Sequence, residues 1–179
     1  MLYESNERVR CEDRRSASGP SKSERLKARD KMLQGKLRLT SIQGAGRQFV
    51  AESGSGHAVV MDDADGHTGP KPIEFALLAL GGCTAFDVIN ILRKKRQLVT
   101  GYEIELRAEQ REAPPNYFTR VEIRHILHGQ VDPEAVKSAI HLSETKYCSV
   151  GAMISKTARI ESSFEIIPQI YSEPSAEAA

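Results

Sequence analysis

A chain of 179 residues with 25 Lys/Arg, 24 Asp/Glu and a formal net charge of +1 is long enough to bury one core and carries no charge excess that would select a polyanionic or a basic partner. Its three cysteines, Cys11, Cys83 and Cys148, are odd in number, its N-terminus shows no secretory apolar stretch, and neither CxxC nor HxxxH spacing occurs, so a disulfide scaffold and a local zinc motif are excluded. A cytoplasmic protein with reduced thiols and no bound metal or cofactor is the expectation.

Residues 1–31 hold nine Lys/Arg against six Asp/Glu and almost no large apolar side chains. Such a stretch cannot bury enough surface to offset its ordering entropy. It reads as a disordered extension, or as sequence upstream of a true start at Met32, and Cys11 is discounted with it. From Lys36 to Asp62, short alternating runs around Leu37 and Leu39, around Phe49 and Ala51, and over His57 to Met61 predict three strands in a meander. Gly44-Ala45-Gly46 and Ser53-Gly54-Ser55-Gly56 supply the turns. Residues 62–71, DDADGHTGPK, read as a solvated polar loop, because the frame of a calcium loop with its distal Glu is incomplete.

The run at 72–97, PIEFALLALGGCTAFDVINILRKKRQ, predicts a long helix of roughly 39 Å. Pro72 suits its first turn, Glu74 complements the positive end of the dipole, and Arg93, Lys94, Lys95 and Arg96 complement the other. The helix is apolar almost all round, so it is buried in a domain or spans a membrane. Glu74, Asp87, Asn90 and Gly81-Gly82 favour the buried helix. The four basic residues at its end read as dipole complement and solvated surface, with no nucleic-acid role.

Tyr102, Ile104, Leu106 and Ala108 alternate with charged residues as a strand with one wet face, and Val121, Ile123, His125 and Leu127 form its partner beyond the turn at Pro114-Pro115-Asn116. His125 falls on the apolar face, where a hydrogen-bonded core histidine is the expectation. Asp132 and Pro133 open a second helix whose Val136, Ala139, Ile140, Ser143 and Tyr147 share one face. Cys148 stands where that helix ends and a short apolar one begins. A last strand runs through Ile160, Phe164 and Ile166, and 169–179 is a frayed tail. The order β-β-β-α-β-β-α-α-β is an α+β plan, one domain over 32–168 with helices on one face of a curved antiparallel sheet.

Two features bear on chemistry. Gly81-Gly82, just before Cys83, implies a close approach of backbone or ligand, or a helix crossing. Asp87 shares a face with Cys83 at i+4, where a carboxylate disfavours the thiolate. By residue type alone, two buried structural cysteines are the commoner reading of Cys83 and Cys148, with a redox pair as the alternative.

The stretch PIEFALLALGGCTAFDV at 72–88 resembles the signature of the OsmC/Ohr family, and KYCSV at 146–150 resembles its second cysteine motif. GGCTAFDV, ILRKKRQ and TKYCSV are most similar to the YhfA-like subgroup. The resemblance implies an OsmC/Ohr-like intertwined homodimer with two equivalent sites at its interface. It further implies that Cys83 attacks the O–O bond of an organic hydroperoxide, that Cys148 resolves the sulfenic acid as a disulfide, and that a dithiol reductant of the lipoyl type reopens it. Active members place an Arg near the thiolate and a Glu ten residues before the first cysteine. Arg47 and Glu74 are the counterparts here, position 73 itself being Ile. The other reading of the same fold is a dimeric binding module that holds a small apolar ligand beside Cys83 without turnover.

Overall fold

The structure, a computed structural model, describes residues 32–43, 46–63 and 68–168. The predicted tails at 1–31 and 169–179, and Cys11 with them, lie outside the described residues. The chain runs through β1 (Gly35–Gln43), β2 (Gly46–Ser53), β3 (Ala58–Met61) and α1 (Pro72–Lys94). It continues through β4 (Leu98–Gln110), β5 (Phe118–Gln130), α2 (Pro133–Leu142), a π-helical turn (Ser143–Tyr147), α3 (Ser149–Ile154) and β6 (Arg159–Ile167).

The strands divide into two three-stranded sheets where the alternation predicts one. The first is the expected meander, antiparallel throughout, with Leu37 opposite Ala51 and Val50 opposite Val60. In the second, β4 and β5 pair antiparallel with Leu106 opposite Ile123, whereas β5 and β6 pair parallel with Ile123 beside Ser162. Alternation reports which face of a strand is wet; it carries no information on strand direction. The parallel pair follows from the α2–α3 segment, which crosses over between β5 and β6 and lets both run the same way.

Two apolar clusters hold the second sheet to the helices. Val88 and Leu92 of α1 meet Leu127 of β5 and Val136, Ala139 and Ile140 of α2. Leu80 of α1 meets Phe118, Val121 and Ile123 of β5, together with Cys148 and Ala158. On the opposite, wet face, Arg124 bridges Glu105 of β4 at 2.9 Å and Glu165 of β6 at 2.5 Å, aligning three strands. Asp132 caps α2 by accepting from the Glu134 and Ala135 N–H groups.

α1 begins as predicted at Pro72, but it stops at Lys94 instead of Gln97. Arg96 takes φ 57°, and the Gln97 N–H turns back to the Leu92 carbonyl at 3.0 Å, which ends the helix. Gly81 is explained by β4: a Cβ there would lie 2.6 Å from Leu106 Cδ1, so the helix rests on the sheet at that point. Next to Gly82 there is open space, with nothing within 4 Å of a built Cβ.

Residues 64–67 of the predicted polar loop lie outside the described residues, and its first residue departs from the solvated reading. Asp62 is buried, and its carboxylate accepts from the Asp63 and Thr68 N–H groups and from the Thr68 hydroxyl.

His125 is fully buried, with Nδ1 2.6 Å from the Tyr102 hydroxyl. Its Nε2 has no hydrogen-bond partner among the described residues, so the expected satisfied histidine is satisfied on one side. Burial pushes the imidazole down to about 4 and pushes the Tyr102 phenol up. Tyr102 therefore keeps its proton and shares one hydrogen bond with a neutral ring.

Two outcomes follow from these contacts. As pH falls below about 6.5, the unfolded chain protonates His125 first, so stability declines until the folded value near 4 and this group adds nothing below it. The loss is on the order of 3 kcal/mol, read as a falling urea midpoint, and His125→Gln removes that part of the pH dependence. Separately, Gly129 at φ 123° would place a Cβ 2.2 Å from the Leu98 carbonyl oxygen. Gly129→Ala therefore destabilises the domain by more than about 1 kcal/mol in denaturant titration.

Candidate redox site

Cys83 lies in the middle of α1, one face turned into the core and the sulfur half-buried. Asp87 follows one helical turn later and is also half-buried. Cys148 arrives from the other side of the chain, 4 % exposed, as the N-cap of α3. The three meet: the Cys83 sulfur, the Cys148 sulfur and an Asp87 carboxylate oxygen all lie within 4.8 Å of one another.

The π-helical turn produces this meeting. In it the Cys148 N–H donates to the Ser143 carbonyl at 2.8 Å, five residues back, which inserts an extra residue into the turn. An unbroken α-helix would keep Tyr147 on the buried face with Val136, Ala139 and Ile140. The wider turn instead leaves Tyr147 48 % exposed and delivers Cys148 to the core. Ser143 stays fully buried, and its hydroxyl donates to Asp87 Oδ2 at 3.0 Å.

Cys148 feels opposed effects. Burial pushes its thiol up, because the charged form loses solvent. The Thr84 hydroxyl at 3.5 Å and the Gly151 N–H at 3.2 Å pull it down by hydrogen bonding to sulfur. The neighbouring Cys83 raises it again, and the net direction is upward. At neutral pH Cys148 is held as a protonated thiol. A cavity of about 210 Å³ opens beside it, lined by Leu80, Thr84, Ile123, Cys148, Gly151 and Ile160, among others.

Arg47 and Glu74 are placed elsewhere. Arg47 of β2 binds the Asp63 carboxylate through both its backbone N–H and its Nε, each at 3.0 Å, and its side chain is largely exposed. Glu74 accepts from the Lys71 N–H at 2.7 Å and so closes the capping box of α1. Within the chain, neither forms a hydrogen bond or ion pair with either cysteine among the described residues. Ile73 packs into the apolar cluster around Leu80. The residues that do surround the sulfurs, Thr84, Ser143 and Gly151, carried little signal in the sequence. Ser143 sat on a face that read as plain core.

The family model of the OsmC-like proteins matches residues 64–163. Protein YhfA of Escherichia coli K12 is 42 % identical over 123 residues, which are 68 % of this chain and 92 % of that one. A crystal structure of a hypothetical protein from Aquifex aeolicus VF5 superposes with a TM-score of 0.69 at 31 % identity, covering 78 % of this chain and 99 % of that one. The organic hydroperoxide resistance protein OhrB of Bacillus subtilis shares the fold, with a TM-score of 0.51 at 12 % identity over 74 % of this chain and 98 % of that one.

The two thiols should differ in reactivity. In a Cys11→Ser background at pH 7.5, iodoacetamide alkylates half-exposed Cys83 before buried, protonated Cys148, as peptide mass mapping will read. Thr84→Val removes a hydrogen bond that lowers the Cys148 thiol, and slows its alkylation further.

Proposed function

The chain belongs to the OsmC-like protein family, and from that premise we propose that it is a cysteine-based peroxidase that reduces organic hydroperoxides in the cytoplasm. The observation that carries the reading is the meeting of Cys83 and Cys148, two residues far apart in sequence and on different helices, with sulfurs no more than 4.8 Å apart. A structural cysteine needs no second cysteine at that distance; a resolving pair does.

The chemistry runs in two steps. The Cys83 thiolate attacks the terminal oxygen of the hydroperoxide, the O–O bond breaks, the sulfur becomes a sulfenic acid, and the alkoxide takes a proton from solvent and leaves as the alcohol. The Cys148 sulfur then displaces hydroxide from the sulfenic sulfur, its own proton leaving with that hydroxide as water, and a disulfide forms. The half-buried position of Cys83 suits the first role, since substrate must reach it. The buried, protonated state of Cys148 suits the second, since it is withheld from direct oxidation. Asp87 offers an acceptor for the proton that Cys148 must lose. A dithiol of the lipoyl type would then reopen the disulfide by exchange.

The protein works as a homodimer in this reading. Leu37, Leu39, Val59 and Val60 of the first sheet and Leu78 and Phe86 of α1 are exposed in the single chain, Phe86 by 73 %. A second copy that covers them also completes the surroundings of Cys83.

One observation favours a second reading, a dimeric binding module for a small apolar ligand. Arg47 is tied to Asp63 and Glu74 to the start of α1, so each would serve a Cys83 thiolate only after leaving its present partner. Intact mass and thiol titration of the Cys11→Ser protein after one equivalent of cumene hydroperoxide decide between them. The peroxidase loses two thiols and two mass units within seconds, and Cys83→Ser loses none. Retention of both thiols overturns the peroxidase and leaves the binding module.

A further inference from the structure

We propose that the reduced protein binds a zinc ion through Cys83, Cys148 and Asp87. No local spacing announces this site, since its ligands come from α1 and from the start of α3, sixty-odd residues on. The folded chain nevertheless assembles two sulfurs and one carboxylate oxygen with every pair within 4.8 Å. In a tetrahedral site with Zn–S bonds of about 2.3 Å, two sulfur ligands lie roughly 3.8 Å apart. The three groups thus need to close by no more than about 1 Å to share one ion. Cys83 and Asp87 sit at i and i+4 on a rigid helix, so two of the three ligands already project from one face.

The outer contacts are those a metal site uses. The Ser143 hydroxyl donates to Asp87 Oδ2, which orients the carboxylate. The Gly151 N–H and the Thr84 hydroxyl point at the Cys148 sulfur, where they would stabilise a metal-bound thiolate. Two thiolates select a soft or borderline cation over magnesium or calcium, and zinc accepts this mixed sulfur and oxygen set. Three protein ligands leave a fourth position for water or a small ligand.

Binding involves no change of oxidation state: the ion displaces two thiol protons to solvent, and two S–Zn bonds form. A Cys83–Cys148 disulfide would consume both sulfur ligands, so the ion and the disulfide exclude each other. The inference does not depend on peroxidase activity, because it concerns the reduced pair in the absence of any hydroperoxide.

The test uses the full chain with Cys11→Ser, reduced, stripped with a chelator and titrated anaerobically with Co²⁺, then with Zn²⁺. One Co²⁺ per chain is expected, with thiolate-to-cobalt charge-transfer absorption that Zn²⁺ abolishes. Asp87→Asn should weaken binding by at least about tenfold, and Cys83→Ser or Cys148→Ser should remove most of the charge-transfer band. Wild-type protein oxidised to the disulfide with diamide should bind none, a control that needs no substitution and so no concern for folding. Absence of the charge-transfer band, unchanged affinity in Asp87→Asn, or equal binding by the oxidised protein would each overturn the site. A protein that forms the disulfide with hydroperoxide yet binds no cobalt loses this inference alone.

Discussion

Ser143 does two things from one fully buried position. Its carbonyl receives the Cys148 N–H at 2.8 Å and its hydroxyl donates to Asp87 of α1 at 3.0 Å. The first bond closes the π turn that carries Cys148 into the core; the second fastens that turn to the central helix next to Cys83. Neither cysteine would find the other through apolar packing alone, which is non-directional and tolerates sliding. Two directed bonds at a buried residue fix the register between helices, because leaving a buried donor or acceptor unpaired costs about 1–3 kcal/mol. A π-helical turn is rare, and such turns occur often at functional sites. Here the turn sets the position of one sulfur.

How much of this was legible beforehand depended on the kind of physics involved. Local rules worked well. Pro72, Glu74 and Asp132 mark helix starts that the structure shows, and the alternations around Tyr102 and Val121 mark β4 and β5. Non-local facts were not written in any local pattern. The parallel pairing of β6 depends on a crossover, and the split into two sheets leaves no mark on the alternation within a strand. The loss of Tyr147 from the buried face depends on a single inserted residue, which a periodicity of 3.6 cannot anticipate. The same applies to the site. Cys83 and Cys148 were identifiable through their motifs, whereas Thr84, Ser143 and Gly151 are ordinary residues whose importance lies in what they face.

Arg47 and Glu74 each make their contacts away from the cysteines. Both residues have local partners that satisfy them: a carboxylate for the guanidinium, a backbone N–H for the acid. An exposed ion pair such as Arg47–Asp63 contributes about 0–1 kcal/mol. It can be exchanged at little cost, in contrast to the buried bonds of Ser143. The sulfurs sit in a frame built from α1, the π turn and α3 and held by buried bonds, whereas the first sheet carries Arg47 and the exposed Leu37, Leu39, Val59 and Val60.

α1 is long and apolar enough to cross a membrane, yet one of its faces is packed into the core. Its inner face, Leu80, Gly81, Thr84, Val88 and Leu92, is buried against β4, β5 and α2, and Gly81 sits so close to Leu106 that no Cβ fits without movement. Its outer face keeps Leu78 and Phe86 apolar and exposed, as an interface would. Between the two faces, Cys83 and Asp87 lie at the boundary of core and surface. A thiol there is reachable by a small reagent yet backed by the low-dielectric core that holds Cys148 protonated, and this gradient gives the two sulfurs different environments.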